Sequence, residues 1–146
     1  MVHSGPVLSM EFSWDNRLLV SADQLGTVKV WKVADGKCLR QINIELSKHL
    51  AAVTMVRLNP AISRVYACCL DKSIKVFGLK SGTMLKEMSG GHESYIQGFD
   101  FLRVKNGDKV FKTDDLVLSY GFDGRVILWA IGQNAKLMPS LARLQA

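Results

Sequence analysis

A chain of 146 residues has the length of one domain, and 48% of its residues are apolar, enough for a sizeable core. Only 22% are charged and no tract is of low complexity, which argues against intrinsic disorder. The formal charge of +6 is scattered rather than gathered into a run, so it reads first as a basic surface and second as room for an acidic partner such as RNA.

Residues 1–20 contain Glu11, Asp15 and Arg17 and so do not read as a secretory signal. No apolar stretch approaches a membrane helix in length, and no membrane partner is expected. After His3 come four short runs, "VLSMEF", "RLLVSA", "GTVKVWK" and "GKCLRQI", bounded by Gly, Asp, Asn or Ser. These are strand and turn signals. In "TVKVW" a lysine alternates with apolar neighbours, the period of a strand with one wet face. Asp35–Gly36 supplies the tight turn into the fourth run.

The same order returns after His49 as "AVTMVRL", "RVYACC", "KSIKVFG" and "GTMLKEM", with Ser81–Gly82 at the turn and "SIKVF" expected to have one wet face. It returns again after Gly91–His92 as "YIQGFDF", "DLVLSYG" and "GRVILWA". This third copy carries an insertion from Leu102 to Asp114, whose Asn106–Gly107 step predicts that "LRVK" and "KVFK" pair as a small ribbon. Beyond Gly132 the pattern is lost, and residues 133–146 are expected to form a ragged last strand or a disordered tail. No segment reads as a helix.

His3, His49 and His92 are 46 and 43 residues apart; Trp31, Phe77 and Trp129 are 46 and 52 apart. That period resembles the WD40 repeat. The expected fold is all-β: propeller blades of four antiparallel strands, three repeats at about 2–44, 49–88 and 91–132. Three blades make an incomplete ring. Met1 leaves no room for an earlier blade, so the ring is expected to be completed by blades from another chain, from missing sequence or from a second copy.

His92, Ser119, Asp123 and Trp129 have the spacing of a WD-repeat hydrogen-bond tetrad. A search for Ser, His and Asp would flag three of them as a nucleophilic triad. Parts of the set recur, as His3 with Ser21 and Trp31, and as His49 with Asp71. A triad is needed once, whereas a structural device recurs in each blade, and no G-x-S-x-G elbow surrounds Ser119. In the first repeat the aspartate position falls on Leu25, with Asp23 two residues early. In the second, Ala67 and Phe77 replace the serine and the tryptophan, so apolar packing is expected to carry more of both blades. Only the third repeat is expected to hold the full set.

Cys38, Cys68 and Cys69 make a poor disulfide framework, and no C-x-x-C is present. Neither a metal nor a cofactor is expected, and a reducing compartment fits.

The strings "TVKVWKVADGKCLRQI" (Thr27–Ile42) and "IKVFGLKSGTMLKEM" (Ile74–Met88), followed by "GH", resemble the C-terminal propeller of the Smu-type WD40 splicing factors. The resemblance spans Val2 to Trp129. It implies a nuclear, spliceosome-associated protein whose role is interaction rather than catalysis. Full-length members of that family also carry a LisH-type helical region, and nothing in this chain resembles it. A non-catalytic protein scaffold in splicing is therefore the leading expectation. The alternatives are a generic WD40 adaptor in ubiquitin-ligase or signalling assemblies and an RNA-binding propeller fragment. Partner contacts are expected from Leu70, Lys72, Tyr95 and Phe122, near the turn aspartates. For Leu70, Phe122 and Tyr95 the competing role is packing between blades.

Overall fold

The computed structural model describes residues 2–45, 52–106 and 108–131. His49 and the segment 133–146 lie outside the described residues. Eleven strands are present among those described, and no helix.

The first blade consists of β1 (Val7–Phe12), β2 (Leu18–Asp23), β3 (Thr27–Lys32) and β4 (Cys38–Asn43), hydrogen-bonded in that order. The second consists of β5 (Val53–Leu58), β6 (Arg64–Cys69), β7 (Ile74–Gly78) and β8 (Met84–Met88). The third has β9 (Ile96–Asn106), β10 (Lys109–Gly121) and β11 (Val126–Ala130). Every pairing is antiparallel, as short connections between sequential strands require. Gly36 and Gly82 take φ of 69° and 71° at the turn before the fourth strand, a backbone region that costs glycine little.

Each first strand carries a bulge at the same place, with Leu8, Thr54 and Gln97 as the extra residue. The pairings Met10↔Ser21, Val56↔Ala67 and Phe99↔Ser119 therefore mark equivalent positions in the three blades.

The core lies between blades rather than within one. Val20, Ala22, Val28, Val30 and Ile42 of the first blade pack on Val53, Val56, Val65, Ala67 and Phe77 of the second. The alternate residues Tyr66, Cys68, Ile74 and Val76 pack on Phe99, Phe101, Val117 and Trp129 of the third. The middle blade is apolar on both faces because both are covered. This corrects the expectation of one wet face for "SIKVF": Lys75 is only 5% exposed, since its face of β7 lies under the first blade.

Polar links also cross from blade to blade. Ser9 Oγ accepts from the Val56 N–H (3.1 Å), and Glu11 accepts from the Leu58 N–H (3.0 Å) and from Arg57. Arg40 and Lys86, equivalent residues of β4 and β8, each donate to a carbonyl of the next blade, at Lys80 and Ala130.

The insertion in the third repeat extends β9 and β10 as a ribbon, pairing Lys109↔Asn106, Val110↔Lys105, Phe111↔Val104 and Lys112↔Arg103. The register then skips to Val117↔Phe101, so the ribbon is set off from the blade proper.

Candidate functional site

A carboxylate holds the turn between the second and third strands in each blade, with histidine, serine and tryptophan in the first and third and with other partners in the second. In the third, His92 Nδ1 lies 3.0 Å from Asp123 Oδ2, and its Nε2 lies 2.7 Å from Ser119 Oγ. The indole N–H of Trp129 donates to the same hydroxyl at 2.7 Å. One proton assignment satisfies every member: indole to hydroxyl, hydroxyl to Nε2, Nδ1–H to carboxylate. Asp123 also accepts from the N–H groups of Arg125 (3.0 Å) and Glu93 (2.7 Å). Burial raises the Asp123 carboxyl, but those N–H groups and His92 outweigh it and hold it at about 2. Ser119 is completely buried, so its hydroxyl is closed to a substrate.

The first blade holds the same four-membered network, where the spacing predicted an eroded one. His3 Nδ1 lies 3.0 Å from Asp23 Oδ2, His3 Nε2 lies 2.6 Å from Ser21 Oγ, and the Trp31 indole donates to Ser21 Oγ at 2.7 Å. The carboxylate comes from two residues after the serine, not four. Asp23 Oδ1 still pins the turn, accepting from the N–H groups of Leu25 (3.0 Å) and Thr27 (2.8 Å). The sequence signal was present: an acid at the second position where the fourth is apolar.

In the second blade the serine and tryptophan positions hold Ala67 and Phe77, both buried. Asp71 does not depend on apolar packing alone. It accepts from the Ser73 hydroxyl (2.6 Å), the Ser73 N–H (3.1 Å) and the Lys75 ammonium (2.8 Å). Lys75 also donates to Ser73 Oγ at 2.7 Å and lies 3.4 Å from Glu87. Desolvation works against its charge, yet the bond to Asp71 and the nearby negative charges leave its pKa raised. Lys75, Ser73 and Glu87 were not foreseen as a unit, because the lysine looked like a solvent-facing residue of an alternating strand.

The loop tips form a second feature, at the same end of the blades as these turns. The N–H groups of Gln24, Leu70 and Phe122 donate to the carbonyls of Pro6, Ala52 and Tyr95, at 2.9, 3.2 and 3.0 Å. Each turn is thereby tied to the segment leading into its own first strand. Phe122 is 71% exposed, and Tyr95 and Leu25 are about half exposed. Leu70 is half-buried, while Lys72, with φ of 68°, is exposed at its turn. The structure thus brings Phe122 and Tyr95 together, and Leu70 and Lys72 into one turn. Leu25 joins them as an exposed apolar tip that the sequence presented only as a defect. Among the described residues no group of three or more His, Cys, Asp or Glu is placed to hold a metal.

Residues 1–32 match the family model for the WD domain, G-beta repeat. The crystal structure of RRP9 WD40 repeats superposes with a TM-score of 0.74 at 18% identity, covering 92% of this chain and 38% of that one. Among curated proteins, the non-functional target of rapamycin complex subunit LST8-2 of Arabidopsis thaliana is 30% identical over 103 residues. That match covers 66% of this chain and 32% of the relative. Polyadenylation factor subunit 2 of Candida albicans is 31% identical over 80 residues, 55% of this chain and 14% of its own length. The SIR4-interacting protein SIF2 of Saccharomyces cerevisiae is 29% identical over 83 residues, 57% of this chain and 15% of its own. The chain thus matches a third or less of the length of these relatives.

Proposed function

We propose that this WD40-repeat chain is a non-catalytic protein-interaction scaffold that works within a pre-mRNA splicing complex in the nucleus. The observation that carries the scaffold reading is the row of loop tips. Phe122, Tyr95 and Leu25 present apolar surface at one end of the blades, while the turns beneath them are pinned by satisfied hydrogen bonds. Rigid turns carrying exposed aromatic tips suit the anchoring of a partner, since little side-chain freedom is lost on binding. The Ser–His–Asp geometry is consumed in holding those turns. The splicing assignment is supported by the strings Thr27–Ile42 and Ile74–Met88.

A second reading, an adaptor in a different assembly, is favoured by the relatives. Their names attach them to a target of rapamycin complex, a polyadenylation factor and a SIR4 interaction. Affinity capture from nuclear extract separates the two. Spliceosomal proteins held by the wild type and lost with Phe122→Ser support the first reading. Retention of another defined complex, with no spliceosomal protein, replaces it with the second.

A further inference from the structure

We infer that the end of the blades opposite the pinned aspartate turns binds single-stranded nucleic acid, the ribbon of the third blade lying along the phosphates and Trp14 of the first stacking on a base. This surface is separate from the loop tips proposed above to hold a protein partner, so either can act without the other.

Antiparallel order sends successive turns to opposite ends. The turns after β2, β6 and β10 lie at one end, and the turns after β1, β3, β5 and β7 lie at the other with the ribbon that joins β9 to β10. Charge that is scattered along the sequence is thereby sorted. The first three turns carry Asp23, Asp71 and Asp123 against Lys72 and Arg125. The ribbon carries Arg103, Lys105, Lys109 and Lys112 against Asp108, with Asp114 and Asp115 following at its base. Neighbouring turns add Arg17 and Lys37, each beside an aspartate, and the exposed Lys80. Register sets Arg103 directly opposite Lys112. Like charges that face each other across a strand pair cost stability, and an anionic partner removes that cost.

Trp14 selects a nucleic acid over an acidic peptide. It stands at the ribbon end, in the turn after β1, and is 77% exposed, yet its indole N–H donates to the Pro60 carbonyl of the second blade at 3.0 Å. The bond holds the ring in place and leaves most of its surface bare, the form of a platform on which any base can stack. The ring reaches toward the second blade, and so toward the ribbon, not toward whatever precedes the first blade. Stacked sheets stand about 10 Å apart, which puts the ribbon about 20 Å from Trp14, or about six nucleotides at a spacing of roughly 3.4 Å. Only an unpaired base reaches such a platform, which favours a single strand over a duplex.

The test is fluorescence anisotropy of a labelled, unpaired RNA 12-mer of mixed sequence titrated with the full chain between about 50 and 200 mM salt. Four ribbon cations predict that the logarithm of the binding constant falls against the logarithm of salt with a slope of about −3. Arg103→Gln/Lys112→Gln is expected to weaken binding and to halve that slope, while the melting temperature holds or rises because the opposed charges are gone. A merely structural role for these two residues would lower both. Trp14→Ala is expected to weaken binding about tenfold with the slope unchanged, and Trp14→Phe to recover most of the loss, since the phenyl ring stacks although it lacks the bond to Pro60. Phe122→Ser, at the other end, is expected to leave RNA affinity as it was. No binding at the lowest salt, a slope untouched by Arg103→Gln/Lys112→Gln, a duplex bound as tightly as the single strand, or an oligoglutamate that competes as well as the RNA would each overturn the inference.

Discussion

Asp23 and Gly121 occupy the same position in their blades, and the carboxylate that one supplies is excluded by the other. Both stand two residues after the network serine and face the equivalent first-strand residues, Val7 and Ile96. A Cβ at Gly121 would lie 2.8 Å from His92 Nδ1, 2.9 Å from the Tyr95 carbonyl oxygen and 3.0 Å from Asp123 Oδ1, the carboxylate that reaches that histidine from the fourth position. One imidazole has room for one carboxylate, approached from either of two places along the turn.

The carboxylate should therefore be movable. Asp23→Gly is expected to lower stability by about 2 kcal/mol, as the loss of charge-assisted hydrogen bonds from a buried group predicts. Adding Leu25→Asp, which copies the third blade, is expected to recover more than half of that loss. Urea denaturation measures both, with an unchanged m-value showing that only stability moved. Gly121→Ala is expected to cost about 1–3 kcal/mol through overpacking.

Ser119→Ala removes a hydroxyl that serves two buried partners. It leaves His92 Nε2 and the Trp129 N–H unpaired, an expected loss of about 1–3 kcal/mol. Adding Trp129→Phe reproduces the Ala67 and Phe77 combination of the second blade. The double variant is expected to cost less than the sum of the two single changes, since the second substitution removes an orphaned donor. Additive losses would show that the two side chains act independently.

Acid should expose the carboxylate contribution. Asp123 titrates at about 2 in the folded chain, below its ordinary 3.8. A depressed carboxyl stabilises the fold fully above its unfolded pKa, and that contribution is lost as pH falls from about 4 to about 2. Asp15 is also held at about 2, by Ser13 and Arg17, and titrates in the same window. Comparison of wild type with Asp123→Asn isolates the buried group. The variant is expected to lose less stability across that window, read as melting temperature against pH.

Thiol chemistry should separate the cysteines. Burial pushes the Cys68 and Cys69 thiols up to about 12, whereas Cys38 is exposed. At neutral pH an alkylating reagent is expected to label Cys38 alone in the native protein and all three once it is denatured, as counted by mass spectrometry.

The sequence showed the blades because hydrophobic period and turn chemistry are local, and three copies of one pattern reinforce each other. It showed the third network for the same reason, since His92, Ser119, Asp123 and Trp129 stand at regular spacing. Asp23 was misread because spacing was treated as fixed, whereas a tight turn can present a carboxylate from either of two positions. Lys75 was misread because strand alternation distinguishes the two faces but does not say what covers them. In the middle blade both faces meet protein, and the lysine is kept charged by Asp71 and Glu87. No local pattern carries that information.

The placement of the core between blades also has a consequence for biosynthesis. The hydrogen bonds of β1 to β4 all lie within about forty residues of chain, so the first sheet can form as soon as Asn43 has left the ribosome. The face that meets the second blade, with Val20, Val28, Val30 and Ile42, has no cover until β5 to β8 arrive. At roughly 5–20 residues per second that interval lasts on the order of a few seconds. During it the nascent chain displays an ordered, apolar sheet face, which is the kind of surface that folding helpers engage.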